Sequence, residues 1–220
     1  MDLYVRLVTE ALPVTIAVSA AAWLLGTVLG TGLGMAGLSR RRWLRETQFF
    51  VSTVLRSLPE LLAIYLLFYG ITAHGVELTP FTATVLALGV TQAGFWAESV
   101  RAGVQVVGPR QFEAAYSLGL TTSQTYRKVI FPQLVSALTS PSLNMFVALT
   151  KLTAIAAAVG LPELLHTGRS VMDRTYDVLP VVVALAVTYL MLTVPLTFLV
   201  KAAEDRWRKR TARQTMPVFS

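Results

Sequence analysis

Long apolar stretches alternate along this chain with short, strongly basic ones. Ala11 to Leu38 contains no charged residue, nor do Leu78 to Ala97, Val129 to Thr150 or Val178 to Val200. Each is long enough to cross a bilayer as a helix. A fifth stretch, Phe49 to Thr72, carries Arg56 and Glu60 but is otherwise apolar. The pattern predicts five transmembrane helices, roughly at 13–38, 49–72, 79–100, 134–158 and 178–201, within a single transmembrane domain covering 1–220. Helix is the expected spanning element, because backbone in lipid must satisfy its own N–H and C=O groups. The short alternating segments of a membrane β-barrel are absent. The expected fold class is all-α, a polytopic membrane protein with a polar loop at about 101–133.

Composition agrees: 54% of the 220 residues are hydrophobic and 14% charged, and the charges cluster between the apolar runs. A formal charge of +7 invites a nucleic-acid reading. The placement of the basic residues argues for membrane topology instead. Arg40, Arg41, Arg42 and Arg45 follow the first span; Arg101, Arg110, Arg127 and Lys128 lie between the third and fourth; Lys201, Arg206, Arg208, Lys209, Arg210 and Arg213 follow the fifth. Arg6, Arg169 and Arg174 fall on the opposite side. This bias predicts an external N-terminus and a cytoplasmic C-terminus. No basic run is interleaved with aromatics as in a nucleic-acid surface, so no nucleic-acid partner is expected.

A cleaved signal peptide is the competitor for the first span. Its uncharged run is too long and its leader, with Asp2 and Glu10 against Arg6, too acidic, so the span is read as retained. With no cysteine, disulfides and thiolate metal sites are out of consideration. His74 and His166 have no second ligand at metal spacing, and no metal site is expected. Gly26, Gly30 and Gly34 form one helical stripe, suited to close packing inside the subunit; a contact between two copies is the alternative.

The second span opens with Arg56-Ser57-Leu58-Pro59-Glu60, where the proline predicts a kink or a new start, and Glu60 is the local partner expected for Arg56. Glu98 and Arg101, one turn apart in the third span, predict another local ion pair. In the polar loop, Gln111 to Leu118 is helix-forming and Gly119 stops it. Thr121, Thr122 or Ser123 can cap a new helix from about Gln124, which Pro132 then breaks or kinks. A short helix, a turn and another helix would present Glu113, Tyr116 and Leu120 outward.

Glu113-Ala114-Ala115, three residues, Gly119, nine residues, then Val129, Phe131 and Pro132 resembles the signature of bacterial ABC importer permease subunits. Leu78-Thr79-Pro80-Phe81, Ala97 to Gly103, Leu118-Gly119-Leu120 and Gly160-Leu161-Pro162-Glu163-Leu164 are similar to the polar amino acid uptake branch of that family. The resemblance runs from about residue 10 to 205 and implies the type I importer fold. It also implies a bacterial inner-membrane location and a set of partners. These are two ATP-binding cassette subunits, a second permease that is identical or related, an extracytoplasmic solute-binding protein and membrane lipid. No cofactor is expected in this chain: it has no Gly-rich loop ending in Gly-Lys-Ser or Gly-Lys-Thr, so ATP and Mg would bind the partner ATPase. Glu113, Ala114, Ala115, Gly119 and Pro132 would form the ATPase-coupling loop, with Ala114 and Ala115 allowing close approach and Gly119 the sharp turn.

Ser57, Gln92, Asn144, Met145, Lys151 and Leu152 are the substrate-path candidates, and Trp96 and Glu98 share the span with Gln92. Asn144 and Lys151, seven residues apart, share one helical face. Lys151 would face a cavity or a partner, or else snorkel to the outer interface. The uptake branch usually has Lys followed by Asp and Thr, and often an acid after the Asn; here Leu152 and Met145 stand at those places. A cationic substrate is therefore not expected through this subunit, unless the partner permease carries recognition. A passive channel and an intramembrane enzyme are the alternative functions, and no nucleophile with an adjacent base is visible.

Overall fold

The computed structural model of the chain describes residues 5–214. Among them the regular elements are all helices: α1 (Leu7–Gly37), α2 (Arg42–Ser57), α3 (Glu60–Gly70), α4 (Pro80–Val107), α5 (Pro109–Ser117), α6 (Thr122–Val159), α7 (Leu164–Thr175) and α8 (Val178–Gln214). Three stretches, α1, α6 and Val178–Arg206 of α8, are long and apolar enough to cross a membrane. Helices α2 and α3 pass that test only together, and they meet at 94°. What the sequence presents as a second span over 49–72 is therefore an elbow, not a straight rod. Pro59 is the cause: it disfavours helix at the preceding residue, and Leu58 (ψ 120°) and Pro59 (ψ 130°) are both extended. The break also removes the one-turn spacing between Arg56 and Glu60. Their expected ion pair does not form, and Arg56 Nε donates instead to the Ser52 carbonyl at 3.3 Å.

Helix α4, the third span of the sequence reading, falls outside the strongly apolar group because its neighbours are other helices. Its buried positions include Thr84, Thr91 and Gln92 among Ala87, Ala93 and Ala97. The two threonines return their hydroxyls to the Pro80 and Ala87 carbonyls of their own helix. Lipid tails are as apolar as leucine, so helices gain little by hiding apolar surface from them and associate through close packing. The glycine stripe of α1 supplies that here. A Cβ on Gly30 would lie 2.6 Å from the Ala93 carbonyl oxygen and 2.8 Å from Trp96 Cβ; one on Gly34 would lie 2.8 Å from the Ala97 oxygen. The stripe is consumed inside the subunit, as its favoured reading expects.

Two apolar clusters fill the bundle. Val18 and Ala22 of α1, Ile64 of α3, Leu88 and Val100 of α4, and Met145 and Leu149 of α6 form the larger. Leu7 and Ala11 of α1, Leu164 of α7, and Val181 and Ala184 of α8 form the other.

Prolines shape the starts of two long helices without breaking them. The Leu12 N–H reaches the Leu7 carbonyl and the Phe131 N–H reaches the Tyr126 carbonyl, each five residues back, directly before Pro13 and Pro132. A proline ring crowds the carbonyl four residues earlier, and widening that turn into a π-turn relieves the crowding. Pro132 therefore lies inside one continuous helix from Thr122 to Val159, where the sequence predicts a break or kink.

Candidate functional site

The passage from Gly108 to Ile130 is an elbow between α4 and α6. Gly108, at φ 79°, ends α4, and Pro109 at once starts the nine-residue α5. Helix α5 closes in a Schellman motif: the Gly119 N–H donates to the Tyr116 carbonyl at 2.9 Å and the Leu120 N–H to the Ala115 carbonyl at 3.1 Å. Gly119 takes φ 74°, a region that costs any other L-residue backbone strain. Thr121 then caps α6 in a reciprocal box: its hydroxyl accepts from the Gln124 N–H at 3.3 Å, and Gln124 Oε1 accepts from the Thr121 N–H at 3.0 Å. Two helix ends are thus satisfied within three residues of one another, which fixes the direction of α5.

Helix α5 is fastened to α6 along one side. The Phe112 and Tyr126 rings meet edge to face with centroids 5.6 Å apart. Gln133 Nε2 donates to Gln111 Oε1 at 3.4 Å. The residues expected outside divide accordingly. Glu113, Ala114 and Tyr116 are exposed, whereas Ala115 is only 3% exposed and faces the chain itself. Leu120 is half-buried, as the residue closing a Schellman motif commonly is. Leu118, which the sequence pattern does not single out, is 80% exposed and gives the outer face an apolar contact. Pro132 is exposed on the first turns of α6.

The substrate-path candidates do not converge within one subunit. Asn144 and Lys151 are both exposed and lie on the stripe of α6 that carries Ser140. Asn144 Nδ2 donates to Ser140 Oγ at 3.4 Å, and Ser140 Oγ in turn bonds Glu204 of α8. Met145, at 9% exposure, joins the larger core, and Leu152 packs against that core. The two positions where the resemblance leads one to look for carboxylates are thus filled by core side chains. Gln92 is buried at the α1–α4 seam opposite Gly26, and Ser57 is exposed at the end of α2.

Beside these candidates, Glu98 pairs with Arg101 as expected, Nη2 to Oε2 at 3.0 Å. Gln48 Nε2 of α2 also reaches Glu98 Oε1 at 3.4 Å, so this pair ties α2 to α4. Trp96 is buried and donates Nε1–H to Thr31 Oγ1 at 2.9 Å across the seam. Glu163 has a role that sequence reasoning did not assign. Fully buried, it caps α7 by accepting the Leu165 N–H at 2.9 Å and the His166 N–H at 2.7 Å, and it accepts the Tyr189 hydroxyl of α8 at 3.0 Å. Burial pushes its carboxyl above the ordinary range, with those three hydrogen bonds acting in the other direction. The only sequence signal for it is Pro162-Glu163-Leu164 ahead of a helical run.

Residues 11–209 match the family described as binding-protein-dependent transport system inner membrane components. The chain belongs to this family. Among the relatives of this permease is the L-cystine transport system permease protein TcyL of Bacillus subtilis (strain 168), 30% identical over 96% of this chain and 91% of that one. The probable glutamine ABC transporter permease protein GlnM of the same organism is 35% identical over 70% of this chain and 72% of its own length. In the crystal structure of an amino acid ABC transporter with histidines, a chain of 27% identity superposes with a TM-score of 0.85, covering 93% of this permease and 94% of that chain. An inward facing structure of the MetNI methionine ABC transporter shares the fold, with a TM-score of 0.70 at 21% identity over 90% and 96% of the two chains. The protein is therefore a multi-pass inner-membrane permease of the ABC importer class.

Proposed function

We propose that this permease forms the translocation path for an amino acid or a similar small polar solute without net positive charge, and that α5 couples the path to separate ATPase subunits. The carrying observation is the elbow. A nine-residue helix is held rigidly to α6 by two capping motifs and a ring contact, and it turns Glu113, Ala114, Tyr116 and Leu118 outward with no partner among the described residues. A rigid lever is what two-state coupling needs, because the ATPase can bias the permease only through contacts that differ between the two states. The relatives with named substrates support the solute class, and Met145 and Leu152 support the restriction on charge.

The remaining parts of the proposal are topology and assembly. Residues 1–220 act as one transmembrane domain with the N-terminus outside and the C-terminus cytoplasmic, following the basic residues. Two such permeases, identical or related, meet an extracytoplasmic solute-binding protein on one side. On the other side they meet two ATP-binding cassette subunits, which hold ATP and Mg.

The test is reconstitution of the permease with its ATPase and binding protein in vesicles, followed by solute uptake and ATP hydrolysis. Gly119→Pro should insert normally yet abolish uptake and solute-stimulated hydrolysis, because proline cannot adopt the φ of 74° that aims the elbow. A Gly119→Pro permease that still imports would overturn the coupling role. Uptake of a cationic amino acid through a homodimer of this permease would overturn the restriction on charge.

A further inference from the structure

A groove enters the bundle between α1, α4 and α6 that the transport reading does not use. Its outer part is a cavity of about 370 Å³ bounded by Met35 of α1, Val104 of α4, and Ser123 and Arg127 of α6. Its inner part is a cavity of about 480 Å³ that reaches Trp23, Trp96 and Ser142. Phe131 and Leu134 wall both parts, so the two are continuous. None of the substrate-path residues lines either one.

The chemistry of the walls selects the occupant. In the inner part most polar atoms are already engaged: Thr31 Oγ1 accepts from Trp96 Nε1, Ser142 accepts from Trp23 Nε1 at 3.0 Å through its carbonyl, and Thr139 Oγ1 donates to the Val135 carbonyl. A polar solute would find little there beyond the Ser142 hydroxyl, whereas a hydrocarbon chain needs no partner. At the mouth the chemistry reverses. Arg127 is exposed, and among the described residues no carboxylate lies within ion-pair distance of it. From Arg127 to Leu143 the groove follows α6 for sixteen residues, about 24 Å of helix. One leaflet of hydrocarbon is about 15 Å deep, so the groove accommodates a chain that enters from the interface. Basic pockets between transmembrane helices near the membrane surface are recurrent sites for anionic lipid headgroups.

The geometry points to a bound anionic phospholipid, with its headgroup phosphate on Arg127 and one acyl chain lying between α1, α4 and α6 against Trp23 and Trp96. The lipid would wedge the foot of α6, the helix to which the coupling elbow is fastened, and so support the lever from the membrane side.

Fluorescence quenching tests this directly. Of the four tryptophans, Trp23 and Trp96 line the groove. The full-length permease carrying Trp43→Phe and Trp207→Phe is reconstituted into phosphatidylcholine vesicles that contain a minor fraction of chain-brominated lipid. That lipid is either phosphatidylglycerol or phosphatidylcholine. Brominated phosphatidylglycerol should quench with about fivefold higher apparent affinity, the preference one basic residue gives at a membrane surface. Arg127→Gln should remove the preference and Arg127→Lys should keep it. Thr139→Phe, which fills the groove from an exposed position, should abolish quenching by either lipid with Arg127 in place. Equal quenching by the two headgroups, a preference that survives Arg127→Gln, or quenching that survives Thr139→Phe would each overturn the assignment. Tryptophans unquenched by both lipids would also overturn it, as expected if a second copy of the permease covers the groove.

Discussion

The α1–α4 seam and the α5 elbow achieve rigidity by opposite means. The seam has almost no side chain on one side: Gly26, Gly30 and Gly34 let two backbones approach until a single Cβ added at Gly30 or Gly34 would collide. The elbow has open space around its critical glycine, with nothing within 4 Å of where a Gly119 Cβ would stand, and is held by backbone geometry and capping bonds. Within the bilayer, contact area at short range is what holds helices together. At the elbow, hydrogen bonds at helix ends and the left-handed glycine set the chain direction while leaving the outer face exposed.

The sharpest way to break the comparison is volume at the seam. Gly30→Leu should destabilise the permease by about 3 kcal/mol or more, since neither the Ala93 backbone nor Trp96 Cβ can retreat. Thermal unfolding in detergent would show it, and Gly32→Leu, on the same helix with nothing within 4 Å, should leave the midpoint unchanged. If both variants unfold alike, the seam is not the element that holds α1. Next in size is Glu163→Ala, which leaves the Leu165 and His166 N–H groups and the Tyr189 hydroxyl without their acceptor in the buried junction of α7 and α8. A loss of about 2 kcal/mol is expected from unsatisfied buried donors, and hydrogen exchange at those amides would report it.

At the elbow, effects on stability should be smaller than effects on transport. Gly119→Ala should cost about 1 kcal/mol, the strain of a positive φ without steric collision. It should lower uptake more than it lowers the unfolding midpoint. Smallest for stability is Leu118→Asp, whose side chain is 80% exposed in the subunit. No change in unfolding is expected, with a clear loss of ATPase association measured by co-purification. Unaltered association would mean that the exposed face of α5 is not the docking face.

Much of this was legible in the sequence, and the failures are instructive. The apolar runs predicted the all-helical membrane architecture because in lipid a chain has no other way to satisfy its backbone. The spacing from Glu113 to Pro132 carried the family resemblance, and the glycine stripe announced a close contact. The misreadings arose where a local rule met a long-range neighbour. Arg56 and Glu60 looked like a one-turn pair until Pro59 turned the chain by 94°. Ala115 looked like part of an outer face but is 3% exposed, and Pro132 looked like a break until a π-turn absorbed it.

By itself the sequence determined the all-helical, membrane-protein character of the chain, the caps of the α5 elbow and which family the chain resembles, because hydropathy, capping and turn chemistry act over a few residues. Only the tertiary structure decided which face of each helix is spent on packing. It placed Gly30 against Ala93, buried Glu163 under α7 and α8, kept Asn144 and Lys151 on an exposed stripe, and opened a groove between α1, α4 and α6. Those outcomes depend on how helices distant in sequence approach one another, and that is set by the sum of many close contacts across the bundle.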